Sequence, residues 1–229
     1  MPRSRHHRSA RRRIESAVSK YCEQRHLFEV FAKALTNYFS EDAILKPFIH
    51  FIKYRTKDPD HLRDKLQRKR SDGVDVNAEN VFDKITDLAG VRIIHLHTDQ
   101  LREMHPAILN VLGEYKCTLV EAPTANCWDN EFEEFFKSLK IETESRASMY
   151  TTVHYVVQAN QQTPISCEIQ VRTLMDEVWG EVSHRVNYPR PSPNERCQDQ
   201  LKVLARLTTG CTRLVDSIFR SHHDAMPGR

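Results

Sequence analysis

The chain has 229 residues, 39% of them hydrophobic, which is enough to bury one sizeable core. No apolar run approaches the roughly 20 residues that cross a bilayer, and the charged N-terminus lacks the apolar stretch of a secretory signal. We therefore expect a soluble, cytoplasmic protein. The formal charge of +3 combines +6 from residues 1–13, which contain six arginines and no acid, with −3 from the rest of the chain.

The arginine-rich N-terminus has two interpretations. Residues 1–13 are predicted to be a disordered, solvated basic tail. The alternative is an electrostatic arm for RNA or another polyanion, whose binding would weaken steeply with salt. Behind it, residues 14–229 are expected to form a single domain, with a core at about 53–190 and a C-terminal helix at about 195–220. The six cysteines have no zinc-finger spacing, so we expect reduced thiols and no structural zinc.

The predicted elements follow one another in no regular alternation. Apolar residues recur at helical spacing over residues 14–38, and a second helix is predicted over 61–70 after an Asp-Pro pair. Buried strands are predicted at 91–96, 153–157 and 166–172. Further helices are predicted at 100–112, 130–140, 173–186 and 195–219. This order indicates an α/β (α+β) fold in which helices flank a mixed sheet.

A basic segment precedes the first predicted strand. Residues 53–70 contain eight lysines or arginines against three aspartates. Lys65 and Lys69 lie four apart, on one face of the predicted helix. Since the chain lacks a Gly-rich phosphate loop, such an array could clamp a triphosphate with side chains. The alternative is an ordinary charged surface helix.

An acid stands at the start of the first predicted strand. Asp87 comes just before the hydrophobic run, with Gly90 and Arg92 close behind. A carboxylate held at a rigid strand edge could bind Mg²⁺. The alternative is a helix-to-strand turn in which Asp87 caps the local backbone.

The strand predicted at residues 166–172 alternates cleanly. One face carries Cys167, Ile169 and Val171. The other face carries three polar residues, which a buried or half-buried strand seldom does unless they have partners. They are Glu168, Gln170 and Arg172. The alternative is the solvent-facing side of an antiparallel sheet.

Taken together, these segments resemble the synthetase domain of the RelA/SpoT family, from about Arg55 to Pro189. Three motifs occur in the order of that family, preceded by Arg-x-Lys (55–57). They are Asp-Leu-Ala-Gly-Val-Arg (87–92), Tyr-x-Thr-x-His (150–154) and Glu-x-Gln-x-Arg-Thr (168–173). The resemblance implies a nucleotidyltransferase-like mixed sheet. It also implies Mg²⁺-dependent transfer of the β,γ-pyrophosphate of ATP to a ribose 3′-hydroxyl.

The resemblance further implies a role for each matching residue. Glu168 is the candidate base for the 3′-hydroxyl, and Tyr150 matches the aromatic residue that stacks on the acceptor base. The full set is Arg55, Lys57, Lys65 and Arg92 for ATP, Asp87 and Glu168 for Mg²⁺ and catalysis, and Tyr150, His154, Gln170 and Arg172 for the acceptor nucleotide.

One departure from the family leaves the acceptor open. Where guanosine-alarmone synthetases carry Lys-x-Asn-Gly before the stacking tyrosine, this chain has Arg-Ala-Ser-Met (146–149). The first hypothesis is synthesis of the alarmone (p)ppGpp from ATP and GDP or GTP. A toxin-type relative would instead modify adenosine nucleotides or the 3′ end of tRNA. A third hypothesis is a non-catalytic nucleotide-binding or interaction module. The terminal helices leave a homo-oligomer or an antitoxin partner open.

Overall fold

The computed structural model describes residues 3–145, 149–160, 162–188 and 190–225. Its helices include a long one at either end of the chain, and one 3-10 turn covers Thr98–Gln100. The helices are α1 Arg3–Glu41, α2 Pro59–Ser71, α3 Val81–Lys84, α4 Leu101–Glu114, α5 Asn130–Ser138, α6 Leu174–Asn187 and α7 Glu195–Asp224. The strands are β1 Phe51–Thr56, β2 Ala89–His95, β3 Thr118–Leu119, β4 Thr124–Cys127, β5 Glu142–Ser145, β6 Thr152–Asn160 and β7 Thr163–Thr173.

The seven strands form one mixed sheet in the order β1-β2-β7-β6-β4-β5, and β3 also pairs with β6. Strand β2 runs parallel to β7, and β4 runs parallel to β5. The remaining pairs are antiparallel. The predicted fold class, a mixed sheet flanked by helices with long helices at both termini, is therefore confirmed.

One face of the sheet is apolar and packs on α1. The strand register places Val91, Ile169 and Tyr155 in one row across β2, β7 and β6, and all three are buried. Helix α1 contacts β1, β2 and β7 from this side and contributes the buried side chains of Tyr21 and Phe28. The other face carries polar side chains of β1, β2 and β7 together with the buried residues Ile94 and Val156.

Helix α1 begins earlier than the sequence predicts. It starts at Arg3, so the backbone of residues 3–13 is helical where a disordered tail is predicted. Arginine and alanine are good helix formers, and no proline or glycine interrupts the run from Arg3 into the apolar part of the helix. Ala10 and Ile14 are buried, which extends the packed face of α1 into this segment.

Strand β1 was not predicted as a strand, because its residues 53–56 were assigned to the basic segment. The three short strands β3, β4 and β5 were not predicted either. They span two, four and four residues, and the residues of β5, Glu142–Ser145, are mostly exposed. Strand β5 is a short polar strand at the edge of the sheet, and β3 and β4 span only two and four residues, so none of the three is long enough to show a clear alternation of apolar and polar residues. The six cysteines form no disulfide in the structure, and two of them, Cys127 and Cys167, are buried. Within the described ranges, no helix is long and apolar enough to cross a membrane.

Candidate active site

A cleft opens on the polar face of the sheet where β1, β2 and β7 lie side by side. The register aligns Arg55 of β1 with Gly90 of β2, and Gly90 with Glu168 of β7. The next row aligns Lys53, Arg92 and Gln170 in the same way. Residues with the same strand periodicity share a face, so the cleft gathers side chains that are far apart in the sequence. Six of the residues that line it are Arg55, Asp87, Gly90, Arg92, Glu168 and Gln170.

Asp87 lies at the floor of this cleft between two ammonium groups. The Nζ atoms of Lys57 and Lys65 are each 2.7 Å from its Oδ2 atom. Burial raises the pKa of Asp87, but the two lysines outweigh burial and bring it down to about 2. Its other oxygen, Oδ1, is buried and has no hydrogen-bond partner among the described residues. The side chain is therefore an ionised carboxylate with one oxygen left for a further ligand.

Glu168 is held by two neighbours on the same face of the sheet. Its Oε1 atom lies 3.0 Å from Nδ1 of His154, and its Oε2 atom accepts a hydrogen bond of 2.7 Å from Nε2 of Gln170. Burial raises the pKa of Glu168, but the hydrogen bond and charge of His154 outweigh it, and the net shift is downward. The carboxylate is thus ionised and fixed in orientation.

The two carboxylates suit a magnesium ion that also binds phosphate. Within the described part of the chain, no group of three or more His, Cys, Asp or Glu side chains is arranged to hold a metal. Mg²⁺ does not need such a cage, because proteins usually bind it through one or two carboxylates together with substrate phosphates and water. The unpaired Oδ1 of Asp87, beside Glu168 in one cleft, fits that pattern.

A second cluster adjoins the cleft where α6 crosses the polar face. Arg172 is only 4% exposed, and its Nη1 atom donates to the Tyr150 hydroxyl at 3.3 Å. Its guanidinium lies 5.6 Å from the centre of the Tyr150 ring and pairs with Glu177. The Tyr150 ring also lies 6.1 Å from the rings of both His154 and Trp179, measured between centres. Burial raises the pKa of Tyr150, so its phenol is neutral.

Sequence reasoning missed two acids of α6. Glu177 accepts hydrogen bonds from Lys53 at 3.0 Å and from Arg92 at 2.8 Å, in addition to its pair with Arg172. Glu181 accepts a second bond from Arg92 at 2.9 Å. The spacing of Glu177 and Glu181, four residues apart on one helical face, was the available signal. Arg92, predicted to bind ATP, is therefore held by α6 in this structure.

The predicted site residues thus fall into a cleft and its surroundings. Of the residues predicted for ATP, Arg55 is exposed at the cleft, whereas Lys57 and Lys65 contact Asp87. The acceptor loop is only partly visible, because residues 146–148 lie outside the described residues. Met149, at the family's glycine position, has a φ of 59°, the left-handed conformation that glycine adopts without strain. At Met149 the backbone therefore has a conformation that a glycine would favour.

Comparison with known proteins gives matches to one family and one fold. Residues 54–192 match the family described as "Region found in RelA / SpoT proteins". The small alarmone synthetase 1 from Bacillus subtilis superposes with a TM-score of 0.62 and 18% identity, over 90% of this chain and 96% of that chain. A GTP pyrophosphokinase family protein from Streptococcus pneumoniae gives a TM-score of 0.63 and 19% identity, over 89% and 96%. A search of curated proteins found no match.

Proposed function

The chain belongs to the RelA/SpoT family, and from this premise we propose that it is an ATP-dependent pyrophosphokinase that acts on a guanine nucleotide. It transfers the β,γ-pyrophosphate of ATP to the ribose 3′-hydroxyl of GDP or GTP and so makes (p)ppGpp. The observation that carries the proposal is the cleft itself, in which the ionised carboxylates of Asp87 and Glu168 lie beside a set of cations. Since its substrates are cytoplasmic metabolites, the proposal places the protein in the cytoplasm.

The proposed ATP-binding region consists of Lys57 and Lys65, which contact Asp87, and of Arg55. Transfer of a phosphoryl-type group depends on charge neutralisation and alignment more than on covalent chemistry. Asp87 already holds the ammonium groups of Lys57 and Lys65 in place. These groups therefore need not move when a triphosphate binds beside them. Arg55 stands exposed at the same cleft, where its guanidinium can fork onto phosphate oxygens.

Mg²⁺ is the proposed cofactor, and Asp87 and Glu168 are the residues that would hold it. When bound, it would offset negative charge on the donor phosphates, as divalent cations do in phosphoryl transfer. The unpaired Oδ1 of Asp87 is the available protein oxygen, because Oδ2 already faces Lys57 and Lys65.

Glu168 is the proposed base for the acceptor hydroxyl. Its lowered pKa keeps it ionised at neutral pH, and His154 and Gln170 hold both of its oxygens. The 3′-oxygen forms a bond to the β-phosphorus of ATP and gives its proton to Glu168. The bond from that phosphorus to the α,β-bridging oxygen breaks, and AMP leaves. A positioned carboxylate is the kind of group that general base catalysis requires.

A related solved structure supports the guanine acceptor. The small alarmone synthetase 1 from Bacillus subtilis bound to its product pppGpp has a TM-score of 0.60 and 20% identity to this chain, over 88% of this chain and 93% of that one. The same Bacillus subtilis protein has also been solved with AMPCPP. At this sequence identity the similarity is one of fold. The nucleotides bound to the Bacillus subtilis protein are the reason for proposing a guanine nucleotide as the acceptor.

A second candidate acceptor, the 3′ end of tRNA, is favoured by a basic groove. The N-terminal part of α1 and the outer side of α2 enclose an open groove whose lining includes Arg11, Gln67, Arg70 and Ser71. Arg11 and Arg70 are exposed. Lys65, on another side of α2, reaches Asp87 in the cleft. A long polyanion bound along the groove would thus pass close to the proposed ATP-binding region.

The experiment is a label-transfer assay with γ-labelled ATP and Mg²⁺. GDP, GTP, ADP and bulk tRNA are offered separately, and the Glu168→Gln variant is the blank. Label on GDP or GTP supports the proposal. Label on tRNA, lost in an Arg11→Ala/Arg70→Ala double variant that still folds, supports the second candidate instead. Absence of transfer to every acceptor would indicate a non-catalytic binding module.

A further inference from the structure

Glu177 of α6 bonds to three cations that belong to two different parts of the site. Its Oε1 atom accepts hydrogen bonds from Nζ of Lys53 at 3.0 Å and from Nη1 of Arg92 at 2.8 Å. Its Oε2 atom pairs with Nη2 of Arg172 and lies 3.1 Å from the same Nη1 atom. Lys53 and Arg92 line the cleft, whereas Arg172 contacts the ring and the hydroxyl of Tyr150. One carboxylate therefore connects the proposed ATP side with the proposed acceptor side.

Burial makes these ion pairs hard to break. Glu177 is 6% exposed and Arg172 is 4% exposed, and the side chain of Arg92 is 15% exposed. Burial raises the pKa of Glu177, but Arg172 and Arg92 outweigh burial, and the net shift is downward. An ionised group in such surroundings is costly unless it is paired, so either arginine can leave the carboxylate only for another anion. A nucleotide phosphate at the cleft is such an anion.

The start of α6 holds Glu177 close to the sheet. The hydroxyl of Thr173 caps the helix and accepts a hydrogen bond of 3.2 Å from the backbone N–H of Asp176, so the first turn of α6 follows directly on β7. Gly180 lies three residues after Glu177 on the same helical face, and a Cβ atom there would be 2.6 Å from Nη1 of Arg172. The carboxylate thus has little freedom to follow one of its cations without disturbing the others.

We propose that Glu177 is a positioning residue that couples the two nucleotide sites, so that a nucleotide at the cleft strengthens binding beside Tyr150. In the free protein, Lys53 and Arg92 share the carboxylate with Arg172. A phosphate that attracts Lys53 and Arg92 leaves more of the negative charge of Glu177 to Arg172. Arg172 is then held more firmly beside the ring of Tyr150, and less ordering remains when the acceptor binds. This coupling presupposes the proposed function, which supplies the two sites.

Isothermal titration calorimetry with an unreactive pair of nucleotides measures the coupling. AMPCPP has a methylene group in place of the α,β-bridging oxygen, so it cannot release AMP by the proposed reaction. The dissociation constant of GDP is measured with Mg²⁺, first without AMPCPP and then with saturating AMPCPP. The wild-type chain is expected to bind GDP about fivefold or more tightly when AMPCPP is present. Because coupling of two binding sites is reciprocal, GDP should tighten the binding of AMPCPP by the same factor.

Two substitutions at Glu177 should remove the coupling. Glu177→Gln keeps the shape of the side chain but not its charge, and the two dissociation constants of GDP should then agree within about twofold. Because this change leaves the buried Arg172 without its carboxylate, circular dichroism checks the fold. Glu177→Asp keeps the charge and so protects the fold, but it is shorter by one methylene group and cannot reach Arg92 and Arg172 together. Its coupling should fall as well.

Glu181→Gln is the matched control. Glu181 lies 2.9 Å from Nη1 of Arg92 and 3.8 Å from Nζ of Lys53, but among the described residues it forms no bond to Arg172. This variant should change the affinity for AMPCPP and keep the coupling. Absence of coupling in the wild type, coupling that survives in Glu177→Asp or in folded Glu177→Gln, or an equal loss in Glu181→Gln would overturn the role of Glu177 alone. Failure of the wild type to bind AMPCPP or GDP would overturn the proposed function together with it.

Discussion

At the residue scale, the two carboxylates of the cleft owe their ionised state to different neighbours. Asp87 is stabilised by the ammonium groups of Lys57 and Lys65, whereas Glu168 is stabilised chiefly by His154. Both remain charged despite their burial, because nearby donors favour the charged form of a carboxyl group. The proposed mechanism requires this, since both acids act as carboxylates.

Neutralising either acid should abolish most of the activity without unfolding the chain. Glu168→Gln removes the proposed base, and Asp87→Asn removes a proposed magnesium ligand. We expect each to lower kcat by about 10²–10⁴-fold. Initial rates of pyrophosphate transfer give the measurement, and circular dichroism checks the fold. Asp83→Asn, an exposed acid on α3, is the matched control. Near-normal kcat in either variant would remove that residue from the mechanism.

Tyr150 should act through its ring. Tyr150→Ala is expected to raise the KM for the acceptor by about tenfold or more, because stacking contributes about 1–3 kcal/mol per base. Tyr150→Phe keeps the ring and loses the hydrogen bonds of the hydroxyl, among them the 3.3 Å bond from Arg172, so its KM should stay within a few-fold of wild type. Steady-state kinetics with each substrate varied in turn separate the effects. An effect confined to the KM for ATP would contradict the stacking role.

Among single residues, the sequence predicted those whose polarity differs from that of their neighbours in the chain. Glu168, Gln170 and Arg172 were visible because polar residues on an otherwise apolar strand are unusual. Glu177 did not stand out, because an acid on an amphipathic helix normally faces solvent and its spacing of four residues from Glu181 does not identify its partners. Its contacts with Lys53, Arg92 and Arg172 depend on how α6 crosses the sheet, which no local pattern encodes.

At the element scale, α6 packs so closely on the sheet that a side chain at Gly180 would have to displace the guanidinium of Arg172. A Cβ atom at Gly180 would lie 2.6 Å from Nη1 of Arg172, whose guanidinium is already held by Glu177 and Tyr150. Gly180→Ala should therefore displace Arg172 and raise the KM for the acceptor by about tenfold or more, since shifts of about 1 Å are costly in active sites.

Gly113→Ala provides the control for that substitution. A Cβ atom at Gly113, also in a helix, would meet nothing within 4 Å. The variant should keep its kinetics and gain up to about 1 kcal/mol of stability from better helix propensity. An unchanged acceptor KM in Gly180→Ala would show that the position of Arg172 does not matter to the acceptor.

The start of α6 should make stability depend on pH. Burial raises the pKa of Asp176 to about 6, although the Thr173 hydroxyl donates to its Oδ2 atom. The folded state therefore holds a proton that the unfolded state releases near pH 4, and stability falls as pH rises from about 4 to 6. Asp176→Asn removes this loss, so its stability relative to wild type should rise by on the order of 2–3 kcal/mol over that range.

Urea unfolding of both proteins at pH 4 to 7 measures that difference, and all other titrating groups cancel in it. A constant difference would mean that Asp176 has an ordinary pKa. Helix α6 itself was predicted from periodicity, within a residue of its observed bounds. Its proximity to Arg172 was not predictable, because close packing of distant segments leaves no periodic trace.

At the scale of the whole molecule, the sheet brings together segments that are far apart in the sequence. The parallel pairing of β2 with β7 places Gly90 beside Glu168, about eighty residues apart in the chain. The order of the predicted elements indicated a mixed sheet, and the resemblance to a family implied the same, but neither gave the pairing of β2 with β7.

The central claim is that β,γ-pyrophosphate moves intact from ATP to a guanine nucleotide. The most direct test incubates the protein with ATP, Mg²⁺ and GDP or GTP and quantifies the products by mass and phosphorus NMR. We expect AMP and a guanine nucleotide pyrophosphorylated at its 3′-hydroxyl in equal amounts, and neither product with Glu168→Gln. AMP without the modified guanine nucleotide, or ADP in its place, would contradict it.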